Sequence, residues 1–145
     1  MYIPEIPQNS LTEEITQIAE LSKKLEDEGY YFEFLQPEDE EKIISWEKEN
    51  SIIIPESVKD WLRFTRGAII ADDIARIGGI NGFESGCDYV PDEMVIIGQI
   101  IGDGQLIVFS KETGKIMWET HADIIKFNSF ASFLNEVVIR MLEKS

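Results

Sequence analysis

The stretch from Met94 to His121, MVIIGQIIGDGQLIVFSKETGKIMWETH, constrains the fold of this 145-residue chain more than any other. Three apolar, β-branched runs, Met94 to Ile100, Gln105 to Ser110 and Lys115 to Glu119, are separated only by IGDG and KETG. Joins that short, each carrying glycine, link antiparallel neighbours, because parallel strands need a crossover of a dozen residues or more. The stretch therefore predicts a β-meander. It also argues against a nucleotide site. Gly102-Asp103-Gly104 lacks the third glycine and the following helix of a dinucleotide loop, and Gly114-Lys115-Ile116 lacks the first glycine and the Ser or Thr of a phosphate loop.

Helical patterns gather at the two ends. MYIPEIPQNS, residues 1–10, reads as a proline-marked extended arm in which Ser10 stands three residues before Glu13 with capping-box spacing. Leu11, Ile15, Ile18 and Leu25 then recur at helical intervals until Gly29. YYFEFLQ reads as a short extended stretch. Pro37 and the acids Glu38 to Glu41 suit a helix start, with Ile43, Ile44 and Trp46 facing inward. Pro55 can start a further helix bearing Val58, Trp61, Leu62 and Thr65, with Gly67 as its stop. GAIIADDIARI predicts a strand and turn, and the glycine-rich stretch from Gly78 to Asp92 a long loop. At the other end, Phe130, Phe133, Leu134, Val137, Val138, Met141 and Leu142 predict a C-terminal helix capped by Asn128 or Ser129. The sum is an α+β fold: one domain over residues 1–145, a mostly antiparallel meander flanked by N-terminal helices and a C-terminal helix.

Charge narrows the partners. The chain carries 28 acids against 13 Lys and Arg, net −15, and residues 1–56 alone hold 15 acids against 4 bases. Such a surface repels phosphate backbones and attracts basic proteins, so nucleic acid is not expected as a ligand. No apolar run reaches the roughly 20 residues a membrane span needs, and the first residues lack the pattern of a cleavable signal. With a single cysteine, Cys87, a cytoplasmic location is expected, and the oligomeric state stays open.

Catalytic chemistry finds little support. Cys87 and the only histidine, His121, could form a nucleophilic pair only if folding joined them, and nothing local lowers the thiol pKa. One Cys and one His exclude a structural zinc site, and the pairs Asp72-Asp73 and Asp92-Glu93 lack the spaced ligands of a calcium loop. A paired-carboxylate hydrolase depends on distances only the fold can set, and stands third among the readings. No catalytic residue, metal or cofactor is expected.

Residues from Ile43 to Gly67, IISWEKENSIIIPESVKDWLRFTRG, resemble the SUKH superfamily, the fold of many bacterial immunity proteins and of relatives of the yeast cell-wall assembly regulator. Trp46-Glu47, Ile54-Pro55 and Gly67 fill the motif's places. Gly98, the Gly102-Asp103-Gly104 turn, Trp118 and the final SFASFLNEVV helix match its later half, so the likeness spans about residues 38–143. Arg66 and Ser110 depart from the family pattern. The resemblance implies a non-enzymatic protein that neutralises a cognate toxin, often a basic nuclease, and the alternative is a regulatory or scaffold module recruiting a cellular protein. It implies structural roles for Trp46, Pro55, Gly67, Gly98 and Gly104. The expected partner contacts are Glu47, Asp72, Asp73, Gly102, Asp103 and Trp118, with the Gly78 to Asp92 loop beside them.

Overall fold

The computed structural model describes residues 1–72, 74–85, 93–100, 105–119 and 124–145. Helix α1 (Thr12–Asp27) buries Ile15, Ile18, Ala19, Ser22 and Leu25 along one stripe, with Leu11 just before it. It ends as its sequence predicts. The Tyr30 and Gly29 amides return to the carbonyls of Leu25 and Glu26, both at 3.0 Å, around Gly29 at φ +103°, a backbone region that glycine enters without penalty. Its start differs from expectation, because Ser10 does not cap the helix. The Ser10 hydroxyl donates instead to Asp60, 51 residues from Asn9, whose own side chain reaches the Asp60 carbonyl at 3.3 Å.

Strand β1 (Glu33–Phe34) follows, then α2 (Glu40–Asn50). The α2 cap is Asp39, whose carboxylate accepts from the Glu41 amide at 3.3 Å, rather than Pro37. Of the three inward residues expected on α2, Ile43 is buried, Trp46 half-buried and Ile44 49% exposed. Adjacent helical residues diverge by about 100°, and on α2, whose one buried residue is Ile43, that turn carries Ile44 to the solvent side. Pro55 directly precedes α3 (Glu56–Leu62). That helix stops before Thr65, and Gly67 does not terminate it: the Thr65 hydroxyl donates to the Leu35 and Gly67 carbonyls at 2.7 Å, and Gly67 immediately precedes the next strand.

The remaining strands are β2 (Ala68–Ile70), β3 (Ala75–Ile77), β4 (Glu84–Ser85), β5 (Met94–Ile100), β6 (Gln105–Ser110), β7 (Ile116–Glu119) and β8 (Ile124–Phe127). They form an antiparallel sheet in the order β1-β2-β3-β5-β6-β7-β8, with β4 paired to β5 beside β3. The meander is as predicted, extended by β8, which the sequence reading lacked. The Gly78 to Asp92 loop is a partial correction. Residues up to Ser85 hold a 3-10 turn (Ile80–Gly82) and β4, with Ile80 and Phe83 buried, and 86–92 lie outside the described residues. In the KETG turn, Ser110 Oγ accepts from the Glu112 and Thr113 amides at 3.2 Å and Gly114 takes φ +73°.

Register divides the sheet into two faces. One row runs Phe34, Ala68, Ile77, Gly98, Ile107, Trp118, Ile125 across seven strands and lies mostly in the core. The next runs Glu33, Ile69, Arg76, Gln99, Leu106, Glu119, Ile124 on the opposite face, and none of these seven is buried. The C-terminal helix covers the core face. It begins as α4 (Phe130–Phe133), capped by Ser129 through the Ser132 amide at 3.3 Å, widens into a π-helical stretch (Leu134–Ile139) and closes as α5 (Arg140–Glu143). Within it Val137, Val138 and Ile139 are buried in succession. Helix α1 packs against it, and Asn135 donates to Glu14 at 3.2 Å.

Candidate binding surface

The motif residues around α2 and α3 build a corner. Ser51, at φ +53°, turns the chain out of α2, and Glu47 Oε2 then accepts from the Ile54 amide at 2.8 Å and pairs with Lys59 at 3.1 Å. With its side chain only 19% exposed, Glu47 holds the segment that delivers Pro55 to the start of α3. Trp46 packs edge-to-face on Phe83 at 5.6 Å and so ties α2 to the sheet. The spacing of Trp46-Glu47 and Ile54-Pro55 is thus the geometry of one latch.

A second hub went unread in the sequence. Asp60, 4% exposed, accepts from Ser10 Oγ at 2.5 Å and from Arg63 at 2.6 Å. Arg63 also binds Glu40 and Glu56, and the hydrogen bond to Glu40 above all raises its guanidinium pKa against the opposing effect of burial. A carboxylate buried with three donors is fully engaged, so this hub anchors the arm, α2 and α3 together. The signal available was Asp60 standing three residues before Arg63 on a helix.

The other predicted residues scatter. Gly98 sits in the core-facing row, where a Cβ would lie 2.5 Å from the Arg76 carbonyl oxygen. Trp118 lies two strands away in the same row, half-buried, its indole N–H donating to Gln105 at 2.8 Å. Asp72 occupies the β2–β3 turn at φ +55°, where its amide donates to the Tyr31 carbonyl at 2.9 Å and its carboxylate accepts from the Tyr31 amide at 3.1 Å. Asp73, Gly102, Asp103 and Gly104 lie outside the described residues, as do Cys87 and His121.

The outer row carries the open surface. Arg76 stands exposed at its centre and, with Arg66, makes no ion pair among the described residues. Grooves of about 310 Å³ and 180 Å³ flank Arg76. Glu33, Leu35, Arg66 and Ile69 line the first, and Ile96, Gln99 and Leu106 the second. A third groove, about 370 Å³, lies beyond Glu33 between the arm, the end of α1 and β1. Tyr2, Tyr30 and Tyr31 line it, exposed at 55%, 36% and 50%. The Tyr31 hydroxyl donates to Glu33 at 2.5 Å, and this bond, with the Glu33 and Asp72 charges, raises the phenol pKa. Such mixed apolar and charged grooves suit protein side chains.

Among the described residues no helix is long and apolar enough to cross a membrane. The model of the SMI1 / KNR4 family (SUKH-1) matches residues 37–136, from three residues past β1 to the middle of the C-terminal helix. A search of curated proteins finds no match to the chain.

Proposed function

Because the chain belongs to the SMI1 / KNR4 family (SUKH-1), we propose that it is a non-enzymatic, cytoplasmic protein-binding module of the immunity type, which occludes a basic toxin domain. The observation that carries this reading is the family match over 37–136. The outer face of the sheet supplies a surface of suitable kind: a continuous row of apolar and charged residues with grooves on both sides of Arg76. Net charge −15 supports a basic partner, because opposite net charge raises the encounter rate and is lost to screening by salt.

Co-expression with a candidate toxin domain from a neighbouring reading frame tests the proposal. Wild-type protein should restore growth and bind the toxin. A folded variant carrying Arg76→Glu and Leu106→Asp should lose both. Association should slow markedly as salt rises to ~0.5 M, where the Debye length is roughly 4 Å, with dissociation changing less. Failure to protect, together with retrieval of a housekeeping protein by the wild type, would replace immunity with the regulatory reading.

A further inference from the structure

We infer that the tyrosine-lined groove formed by the N-terminal arm, the end of α1 and β1 is a seat for an arginine or lysine side chain of a protein partner. The backbone builds it. The Gly29 turn ends α1 and releases Tyr30 and Tyr31 into an extended chain, in which Phe32 and Phe34 go to the core while Tyr31 and Glu33 share the exposed side. Three large exposed aromatic side chains then line one groove of about 370 Å³ with no Lys or Arg among the lining residues.

Glu33 supplies a carboxylate to the lining, and Asp72, which is not among the lining residues, holds the backbone beside it. Glu33 accepts the Tyr31 hydroxyl through Oε2, and Asp72 accepts the Tyr31 amide, so the ring and both negative groups are held in place before any ligand arrives. Glu26, also in the lining, faces the Met1 ammonium at 3.8 Å. Aromatic faces and fixed carboxylates are what a guanidinium or ammonium on a long apolar stem requires: the stem packs on the rings and the cation meets π-electrons and carboxylate oxygen. An anionic occupant would meet the Glu33 carboxylate, and a purely apolar one would leave it without a cation. The surrounding field agrees, since residues 1–56 carry 15 acids against 4 bases.

Every described residue lining the groove precedes residue 37 and lies outside the family match. The inference therefore stands apart from toxin neutralisation, and either can fail without the other. The test titrates the full isotope-labelled chain with an acetylated, amidated tetra-arginine peptide and follows backbone amide shifts. Shifts should concentrate at residues 29–34 and at Asp72. Tyr30→Ala with Tyr31→Ala should weaken binding about tenfold or more, while Tyr31→Phe, which keeps the ring, should stay within about threefold. Glu33→Gln should weaken binding without touching any aromatic ring, and serves if the double variant does not fold. Shifts spread evenly over the acids of α1 and α2, or unchanged affinity in Glu33→Gln and in a folded double variant, would overturn the inference.

Discussion

Replacing Gly98 by alanine should split the sheet at its centre. The added Cβ would lie 2.5 Å from the Arg76 carbonyl oxygen and 3.1 Å from the Ile77 Cα, both backbone atoms of β3. Relief requires β3 to retreat by roughly 1 Å, because carbon–oxygen contacts are comfortable only near 3.5 Å. Three residue pairs join β3 to β5, so the retreat strains that whole pairing. Overpacking of this kind costs about 1–3 kcal/mol, and weakening one or two ladder hydrogen bonds adds about 1 kcal/mol each. We expect a loss of about 2–5 kcal/mol, which at about 2–4 °C per kcal/mol lowers the melting temperature by roughly 4–20 °C. Gly67→Ala is the control, since the one tight contact of its Cβ is the side-chain end of Leu35 at 3.2 Å and the Ile77 carbonyl oxygen lies at an ordinary 3.9 Å, and it should cost under about 1 kcal/mol. Urea and thermal denaturation of the three proteins measure the difference. If Gly98→Ala lay within 1 kcal/mol of wild type, or cost less than Gly67→Ala, the close approach of β3 and β5 would not be what demands glycine.

Three further outcomes follow from side-chain contacts. Glu47→Ala should lower stability by about 2 kcal/mol, since it orphans the Ile54 amide and unpairs Lys59, and Glu47→Gln, which keeps an acceptor, should lose less in urea denaturation. Trp61, 1% exposed with no partner for its indole N–H among the described residues, should tolerate Phe within about 1 kcal/mol because relief of that donor offsets the lost ring, whereas Trp61→Ala should cost about 3–5 kcal/mol. The Tyr31 phenol, held above its ordinary value of 10.0 by Glu33, should ionise late in an alkaline absorbance titration, and Glu33→Gln should bring it forward. A raised folded-state value means the folded chain keeps a proton the unfolded chain releases. The contribution is therefore complete below pH 10.0 and lost as pH rises through the folded value, and Tyr31→Phe should flatten that part of the stability profile.

The meander was legible because each hairpin is local: alternation fixes the strands and the intervening glycines fix the turns. The end of α1 was legible for the same reason at Gly29. Contacts between distant residues were not. Asp60 sits among charged neighbours on a short helix and looks solvated in sequence, yet Ser10, a residue with capping-box spacing, leaves its own helix to bind it. Gly67 looked like a helix stop because glycine commonly is one, but the chain leaves α3 at Leu62 and Thr65 takes over the local carbonyls. The outer row exists only once seven strands are in register, and the tyrosine groove only once the arm returns beside β1.

The packing of α1 against the C-terminal helix has a consequence during synthesis. Glu14 and Asn135, which bond across that contact, are 121 residues apart. At about 5–20 residues per second, translation takes roughly 6–24 s to bring the second after the first. Through that interval the apolar stripe of Leu11, Ile15, Ile18 and Leu25 has no final partner, while the hairpins of the sheet can form as they emerge. The nascent chain should thus present its amphipathic first helix to chaperones until the C-terminal helix docks, which makes that docking the step that removes its last exposed apolar surface.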